Sequence, residues 1–192
     1  METYNLDDYK YDNTSNAPAV YVGTYRKYNN GSLDGMWLDL TSFCDYEEFM
    51  DVCAYLHRDE DEPELMFQDW DNVPEDWRSE SYFDEDTFDK IREWADMDDD
   101  EQGAFEAFMN AFCEDDIQSF KDIYEGQYDS MEDFARELVE GTGMLMLPRS
   151  TYVPNEVRVQ FEEVAKYFDF AAYAEDLKYD YTWEDGYVFR NN

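Results

Sequence analysis

Basic residues are the chief shortage of this chain: 14 Lys and Arg stand against 50 Asp and Glu in 192 residues, a formal net charge of −36. A field of that sign repels nucleic acid and anionic membrane surfaces alike, so the expected partner is basic. The most abundant basic surfaces in a cell are those built to hold nucleic acid. Histidine occurs once, at His57, which removes most histidine-dependent catalytic sets and most zinc sites. The three cysteines, Cys44, Cys53 and Cys113, cannot all pair within one chain, and their neighbours are apolar. Reduced, buried thiols in a cytoplasmic protein are the expectation. No apolar run approaches the roughly 18 residues of a membrane helix, the longest being Met144–Leu147. The acidic stretch Met1–Asp8 lacks the apolar segment of a secretory signal. A phosphate-cradling glycine loop, a nucleophile elbow, an internal repeat and a Pro- or Gly-rich linker are all missing.

Aromatic residues, at 19% of the sequence, are what the chain has in plenty. A chain this acidic would ordinarily stay disordered, because too little burial offsets chain entropy. Here Tyr, Phe and Trp recur at helical and strand spacing, and they predict a folded protein. Residues 1–18 lack periodicity and read as a flexible extension. Strands are predicted at Ala19–Thr24 and Met36–Leu40, with turn chemistry at Tyr28-Asn29-Asn30-Gly31 between them. A helix carrying Tyr46, Phe49, Met50, Cys53 and Ala54 on its inner face follows. Leu65–Phe67 reads as a further strand, with Asp69-Trp70-Asp71 as a loop closed by Pro74. Asp84 caps a helix striped by Phe88, Ile91, Trp94 and Ala95, and a second carries Phe105, Phe108, Met109 and Phe112. Phe120–Tyr128 reads as a strand. Ser130 caps a helix with Phe134, Leu138 and Val139 inside, stopped by Gly141. Another helix runs from about Asn155 through Val164, and Asp169 caps a short one with Phe170, Tyr173 and Leu177. A hairpin with its turn at Glu184-Asp185-Gly186 closes the chain.

Few residue sets point to chemistry. Cys53 and His57 stand four apart on a helix and can touch, but a thiolate–imidazole pair needs an oxyanion site and an orienting group, and neither is visible. The simpler reading is a core thiol and a helix-end histidine. An EF-hand starting at Asp96 puts Glu101 where glycine is required, and one starting at Asp98 ends on Met109; neither register works. Carboxylate pairs of the glycosidase kind carry no information in a chain so rich in acid. No catalytic residue, metal or cofactor is expected.

The distribution of the acid is more telling. From Asp59 through Asp133 there are 29 acidic residues and only four basic ones, Arg78, Lys90, Arg92 and Lys121. Ordinary helix faces mix signs, because like charges at i,i+4 destabilise. The candidate surface takes Asp45, Glu47, Glu48 and Asp51 from the first long helix, then Asp59, Glu60, Asp61, Glu62, Glu64, Asp69 and Asp71. It continues with Glu75, Asp76 and Glu80, then Asp84, Glu85, Asp86, Asp89, Glu93 and Asp96. The run Asp98, Asp99, Asp100, Glu101 and Glu106 is next, followed by Glu114, Asp115, Asp116, Asp122, Glu125, Asp129 and Glu132. Duplex DNA carries one charge per about 1.7 Å of axis, so 36 charges match roughly 60 Å of duplex. The charge density is of the order of nucleic acid, and a groove lined with Lys and Arg would attract it.

The pattern Tyr21-Val22, then Lys27-Tyr28-Asn29 with Gly31, Leu33, Gly35 and Trp37, resembles the opening of the ArdA antirestriction proteins. The likeness continues at Phe67-Gln68-Asp69-Trp70-Asp71 and Pro74. It recurs at Tyr128-Asp129-Ser130 with Ala135 and at Glu140-Gly141-Thr142-Gly143. It ends at Tyr167-Phe168-Asp169-Phe170 with Tyr173-Ala174 and Asp176-Leu177, and spans Ala19 to Arg190. The resemblance implies an α+β fold: an elongated multi-domain chain of small α/β and helical domains with short antiparallel sheets. The expected division is an extension at 1–18, an N-terminal α+β domain at 19–82, a central helical domain at 83–118 and a C-terminal α+β domain at 119–192. It further implies a homodimer whose carboxylates follow the layout of B-DNA phosphates. Such a protein occupies the DNA-binding groove of the methyltransferase core of type I restriction–modification enzymes, and blocks restriction and modification. Family members travel on mobile genetic elements. Rival readings are an acidic decoy or chaperone for another basic nucleic-acid-binding protein, a salt-adapted protein, and an enzyme whose acidic surface is incidental.

Overall fold

The computed structural model describes residues 3–147 and 152–191; the first two residues of the expected extension and residues 148–151 and 192 of the expected C-terminal domain lie outside them. The fold is α+β with short sheets. Among the described residues it holds eight α-helices and two three-stranded antiparallel sheets. The chain divides into two compact units between Gln102 and Gly103.

In the first unit β1 (Ala19–Thr24) lies between β2 (Met36–Asp39) and β3 (Leu65–Asp71), antiparallel to both. Val20 pairs with Leu38 on one side and Trp70 on the other. Ala19, Val20 and Val22 are fully buried, as a central strand requires. The register with β3 shifts between Tyr21 and Val22, where Gln68 is the extra residue of a β-bulge. A short helix, α1 (Tyr25–Asn29), follows β1, with the Thr24 side chain accepting from the Lys27 backbone N–H. The turn expected at Tyr28–Gly31 is therefore the end of a helix, and Gly31 takes the left-handed φ of 77° there.

Two helices complete this unit. In α2 (Tyr46–Leu56) the Asp45 carboxylate accepts from the Glu48 N–H, and in α3 (Glu85–Ala95) Asp84 accepts from the Thr87 N–H. Each cap satisfies donors that a helix start leaves open, at about 1 kcal/mol apiece. The core is aromatic. Phe83 lies 5.0 Å from Trp70, and 5.4 Å from both Phe49 and Phe67, mostly edge to face. Phe43 and Phe88 close the cluster. Burying each such ring is worth about 2–3 kcal/mol, and each well-set ring pair about 1 kcal/mol more. That burial offsets the self-repulsion of the acidic surface.

In the second unit β6 (Tyr187–Arg190) lies between β4 (Tyr124–Gln127) and β5 (Tyr181–Glu184). The β5–β6 turn has positive φ at both Asp185 and Gly186, as a tight hairpin needs. Phe105 and Phe108 of α4 (Asp99–Phe112) and Phe120 of α5 (Ile117–Ile123) are buried together, Phe108 and Phe120 lying within 6.4 Å of Phe189. A second cluster joins Phe134 and Ala135 of α6 (Met131–Thr142) with Ala174 and Leu177 of α8 (Phe170–Leu177) and with Val188. Between them in sequence runs α7 (Asn155–Ala165), which buries none of its residues.

Several expectations need correction. Residues 3–18 are not a free tail. Tyr11 N–H donates to the Trp37 carbonyl and Asp39 N–H to the Tyr9 carbonyl, so the segment runs along β2. Tyr9 stacks on Phe43 at 4.8 Å, and Tyr11 is buried. The strand at Leu65 continues through Asp71, because pairing with β1 extends to Asp71 opposite Ala19. The segment Phe120–Tyr128 is the end of α5 followed by β4; Asp116 caps that helix by accepting from the Ser119 N–H. On α2 the inner face holds Val52, while Ala54 is exposed. Gly141 lies within α6, and Gly143, at φ 66°, ends it. Cys53 alone is a buried thiol; Cys44 and Cys113 are exposed.

Candidate functional site

Nearly all the acidic residues singled out from the sequence stand in water. Glu48, Asp71, Asp84 and Asp115 are half-buried, and Glu60 is buried; the rest are exposed. Glu60 is a correction to the candidate surface. Its carboxylate accepts from the Thr24 hydroxyl at 2.7 Å, which fixes the β1–α1 corner instead of facing a partner. Glu48, too, works inside the fold, accepting from the Cys44 N–H and the Tyr9 hydroxyl. The Cys44 N–H first, then the Tyr9 hydroxyl, hold its carboxyl below the usual range, and Glu48 in turn pushes the Tyr9 phenol up to about 12. Hydrogen bonds from Thr87 and Tyr82 hold Asp84 at about 2.

The clearest track is on α3. Phe88, Ile91 and Trp94 turn inward, and Glu85, Asp86, Asp89, Glu93 and Asp96 occupy the exposed side. At 1.5 Å per residue these five carboxylates fall along about 16 Å of helix, one per roughly 4 Å. A single DNA strand carries one charge per about 3.4 Å. At the start of α4, Asp98 and Glu101 bond each other's backbone N–H groups, and Asp99 and Asp100 complete an acidic first turn. That placement suits the positive end of a helix dipole.

Several cations bond within the fold. Arg78 donates Nε and Nη2 to the Val73 carbonyl, and Arg92 donates to the Cys44 carbonyl while lying over the Phe88 ring. Arg58 donates to the Tyr55 carbonyl and covers its ring at 4.3 Å; Arg190 donates to the Asp122 carbonyl and lies 4.0 Å from Glu125. Lys27, 13% exposed at its side chain, sits between Asp34 and Asp59. Among the described residues Glu85, Asp86, Asp89 and Asp96 form no ion pair. Guanidinium groups that bond carbonyls and stack on rings leave neighbouring carboxylates uncompensated, and this is how so few cations leave an acidic face open.

The one histidine is structural. His57 is 1% exposed, its Nδ1 lies 3.1 Å from Lys27 Nζ and its Nε2 3.3 Å from the Val22 carbonyl. Lys27 as donor requires Nδ1 to accept, so the proton is on Nε2 and the ring is neutral. Burial, then Lys27, lowers its pKa. Burial raises the Cys53 thiol far from the thiolate range. Among the described residues no three His, Cys, Asp or Glu side chains gather as a metal site, and no helix is long and apolar enough to cross a membrane. The sequence pattern gave no sign of the Lys27 contacts with His57, Asp34 and Asp59, and the Tyr9–Tyr11 edge was missed. The alternation of Tyr9 and Tyr11 was the available signal for the second.

An α+β protein with short sheets, an aromatic core and exposed carboxylate tracks is the class these features define. The chain belongs to the ArdA antirestriction protein family, whose model matches residues 20–189. No curated protein matches it.

Proposed function

We propose that this protein works by competitive occupation, without bond chemistry: its carboxylates stand in for B-DNA phosphates in the DNA-binding groove of a type I restriction–modification enzyme. The observation that carries the reading is the acidic α3 face, whose charge spacing approaches that of a DNA strand and where Glu85, Asp86, Asp89 and Asp96 form no ion pair among the described residues, on a chain of an antirestriction family. Lys and Arg of the groove meet Asp and Glu, and counterions leave both surfaces, so affinity falls steeply with salt. Carboxylates fixed on helices need no ordering on binding, unlike an acidic tail. Occupation of the methyltransferase core inhibits restriction and modification together, in the cytoplasm. A salt-adapted protein would share the charge but not the competition.

The protein acts as a homodimer in this reading, and α7 supplies the contact. Val157, Val159 and Val164 are exposed on it, and Tyr167 just beyond its end. Between Gly141 and Phe168 the sequence has three acidic residues, Glu156, Glu162 and Glu163, and three basic ones, Arg149, Arg158 and Lys166. A second copy of a chain with net charge −36 meets little net repulsion on that stretch.

The deciding experiment titrates this protein into a labelled duplex bound to a type I methyltransferase core at two salt concentrations. Displacement that weakens sharply as salt rises supports the reading. A folded protein that displaces nothing at low salt overturns it for that enzyme.

A further inference from the structure

The segment that precedes the family match builds a recess against β1 and β2. It is an open hollow of about 1010 Å³ in the first unit. Tyr11, Tyr21 and Trp37 give it aromatic walls: Trp37 lies 5.6 Å from Tyr21, near perpendicular, and 6.0 Å from Tyr11. Asp7, Asp12 and Asp71 line it as well, with Lys10 the one cation. Two of these carboxylates are held in place. Asp71 accepts from the Tyr11 hydroxyl at 2.8 Å, and Asp12 accepts from the N–H and hydroxyl of Thr14. Tyr11 itself is 8% exposed and receives the Asn72 side-chain N–H. Lys10 forms no ion pair among the described residues, so three anions face one uncommitted cation. Trp37 and Tyr21, by contrast with the rings of the core, are only half-buried. Gly35 lets its segment lie close to β1: a Cβ there would collide with the Val22 carbonyl oxygen and press on the Tyr21 ring.

Aromatic faces beside fixed carboxylates select one chemistry. Anions are repelled, and an apolar group would strip water from the carboxylates without replacing it. A guanidinium stacks on the rings and forks to the carboxylates at once, which an ammonium does less well. We infer that this recess takes an arginine side chain of the basic partner protein, as an anchor point beside the distributed carboxylate tracks; the inference rests on the proposed function. Asp7, Lys10, Tyr11, Asp12 and Asn13 all precede residue 20, so the family match does not reach half of the recess.

The test uses the full-length protein labelled with ¹⁵N at its indoles, titrated with N-acetyl-arginine amide, a capped mimic of a protein side chain, at constant salt. The Trp37 indole resonance should move and saturate at about millimolar ligand, the ceiling for so small a molecule, while those of Trp70, Trp77, Trp94 and Trp183 stay put. The neutral citrulline analogue should leave Trp37 unmoved, and the lysine analogue should bind more weakly. Asp7→Asn, which breaks no hydrogen bond of the fold, and Asp71→Asn should each weaken binding about threefold, and Lys10→Met should tighten it by a similar factor. A Trp37 resonance that does not move, that moves equally with citrulline, that is insensitive to both Asp variants, or that responds only to free arginine overturns the inference. Displacement of DNA without a Trp37 response removes the recess alone. A Trp37 response without displacement keeps the arginine site and removes the restriction enzyme as its partner.

Discussion

Neutralising the outer face of α3 should move stability and binding in opposite directions. Asp89 has Glu85 four residues before it, Asp86 three before and Glu93 four after, all on the exposed side. Each like-charged pair at such spacing destabilises a helix by about 0.2–0.5 kcal/mol. Asp and Asn have similar helix propensity. Asp89→Asn alone should therefore stabilise the protein by roughly 0.6–1.5 kcal/mol at low salt, a shift that chemical denaturation resolves. The quadruple variant Glu85→Gln, Asp86→Asn, Asp89→Asn, Asp96→Asn should bind the enzyme groove less well. Exposed ion pairs are worth about 0.2–1 kcal/mol each, so four lost contacts weaken binding by roughly 4- to 1,000-fold. The slope of log affinity against log salt should flatten by up to about four. Competition with labelled DNA over a salt series measures both quantities. A folded quadruple variant with unchanged affinity and slope would refute a role for α3. A single substitution that abolished binding would refute distributed charge altogether.

Salt should also raise the protein's own stability, since it screens the repulsion among 50 acidic residues while weakening the complex; thermal melts that fall with added salt would contradict this. His57 makes folding pH-dependent. Its folded pKa is lowered by burial and Lys27, so the unfolded chain takes up the proton first; stability is full above about pH 6.5 and falls as pH drops from there toward the folded value. His57→Gln should flatten urea-derived stability across pH 5–6.5, and an unchanged slope would place the titrating group elsewhere. Thiol labelling should be graded: Cys53 should react only on unfolding, and Cys44, whose thiol Glu48 pushes up, more slowly at neutral pH than in the Glu48→Gln variant. On α7, Val164→Asp should shift the chain toward monomer in sedimentation, whereas the same change at an already solvated position such as Ala54 should not.

Where a local signal was strong, the sequence was readable. Asp84, Ser130 and Asp169 cap the helices they were expected to cap, because a short oxygen-bearing side chain before an amphipathic stripe has few other uses. Reading failed where tertiary contacts decide. Asp69 and Asp71 are poor strand formers, yet pairing with β1 draws them into β3. The segment Ile117–Ile123 has β-branched and aromatic residues but packs as a helix, because Ile117, Phe120 and Ile123 then share one buried face. Tyr9 and Tyr11 lie in a polar stretch whose order depends on the β2 edge and on Phe43, neither of which is local. The quantity of negative charge was legible from composition alone. Its availability was not, since that depends on where each cation points.

Those cation placements connect the fold to the proposed activity. Had Arg78 and Arg92 reached across to carboxylates, each would have gained a surface ion pair worth about 1 kcal/mol at most. Bonded instead to the Val73 and Cys44 carbonyls, they satisfy backbone acceptors and keep their charge off the acidic tracks. The carboxylates divide in the same way. Asp45, Asp84, Asp116 and Asp169 stabilise helix starts, and Glu48, Glu60 and Asp71 tie segments together. Glu85, Asp86, Asp89 and Asp96 do neither, and their mutual repulsion is offset by the aromatic core rather than by local partners. Replacing one of the first two groups should therefore lower stability before it alters binding. Replacing one of the third should do the reverse.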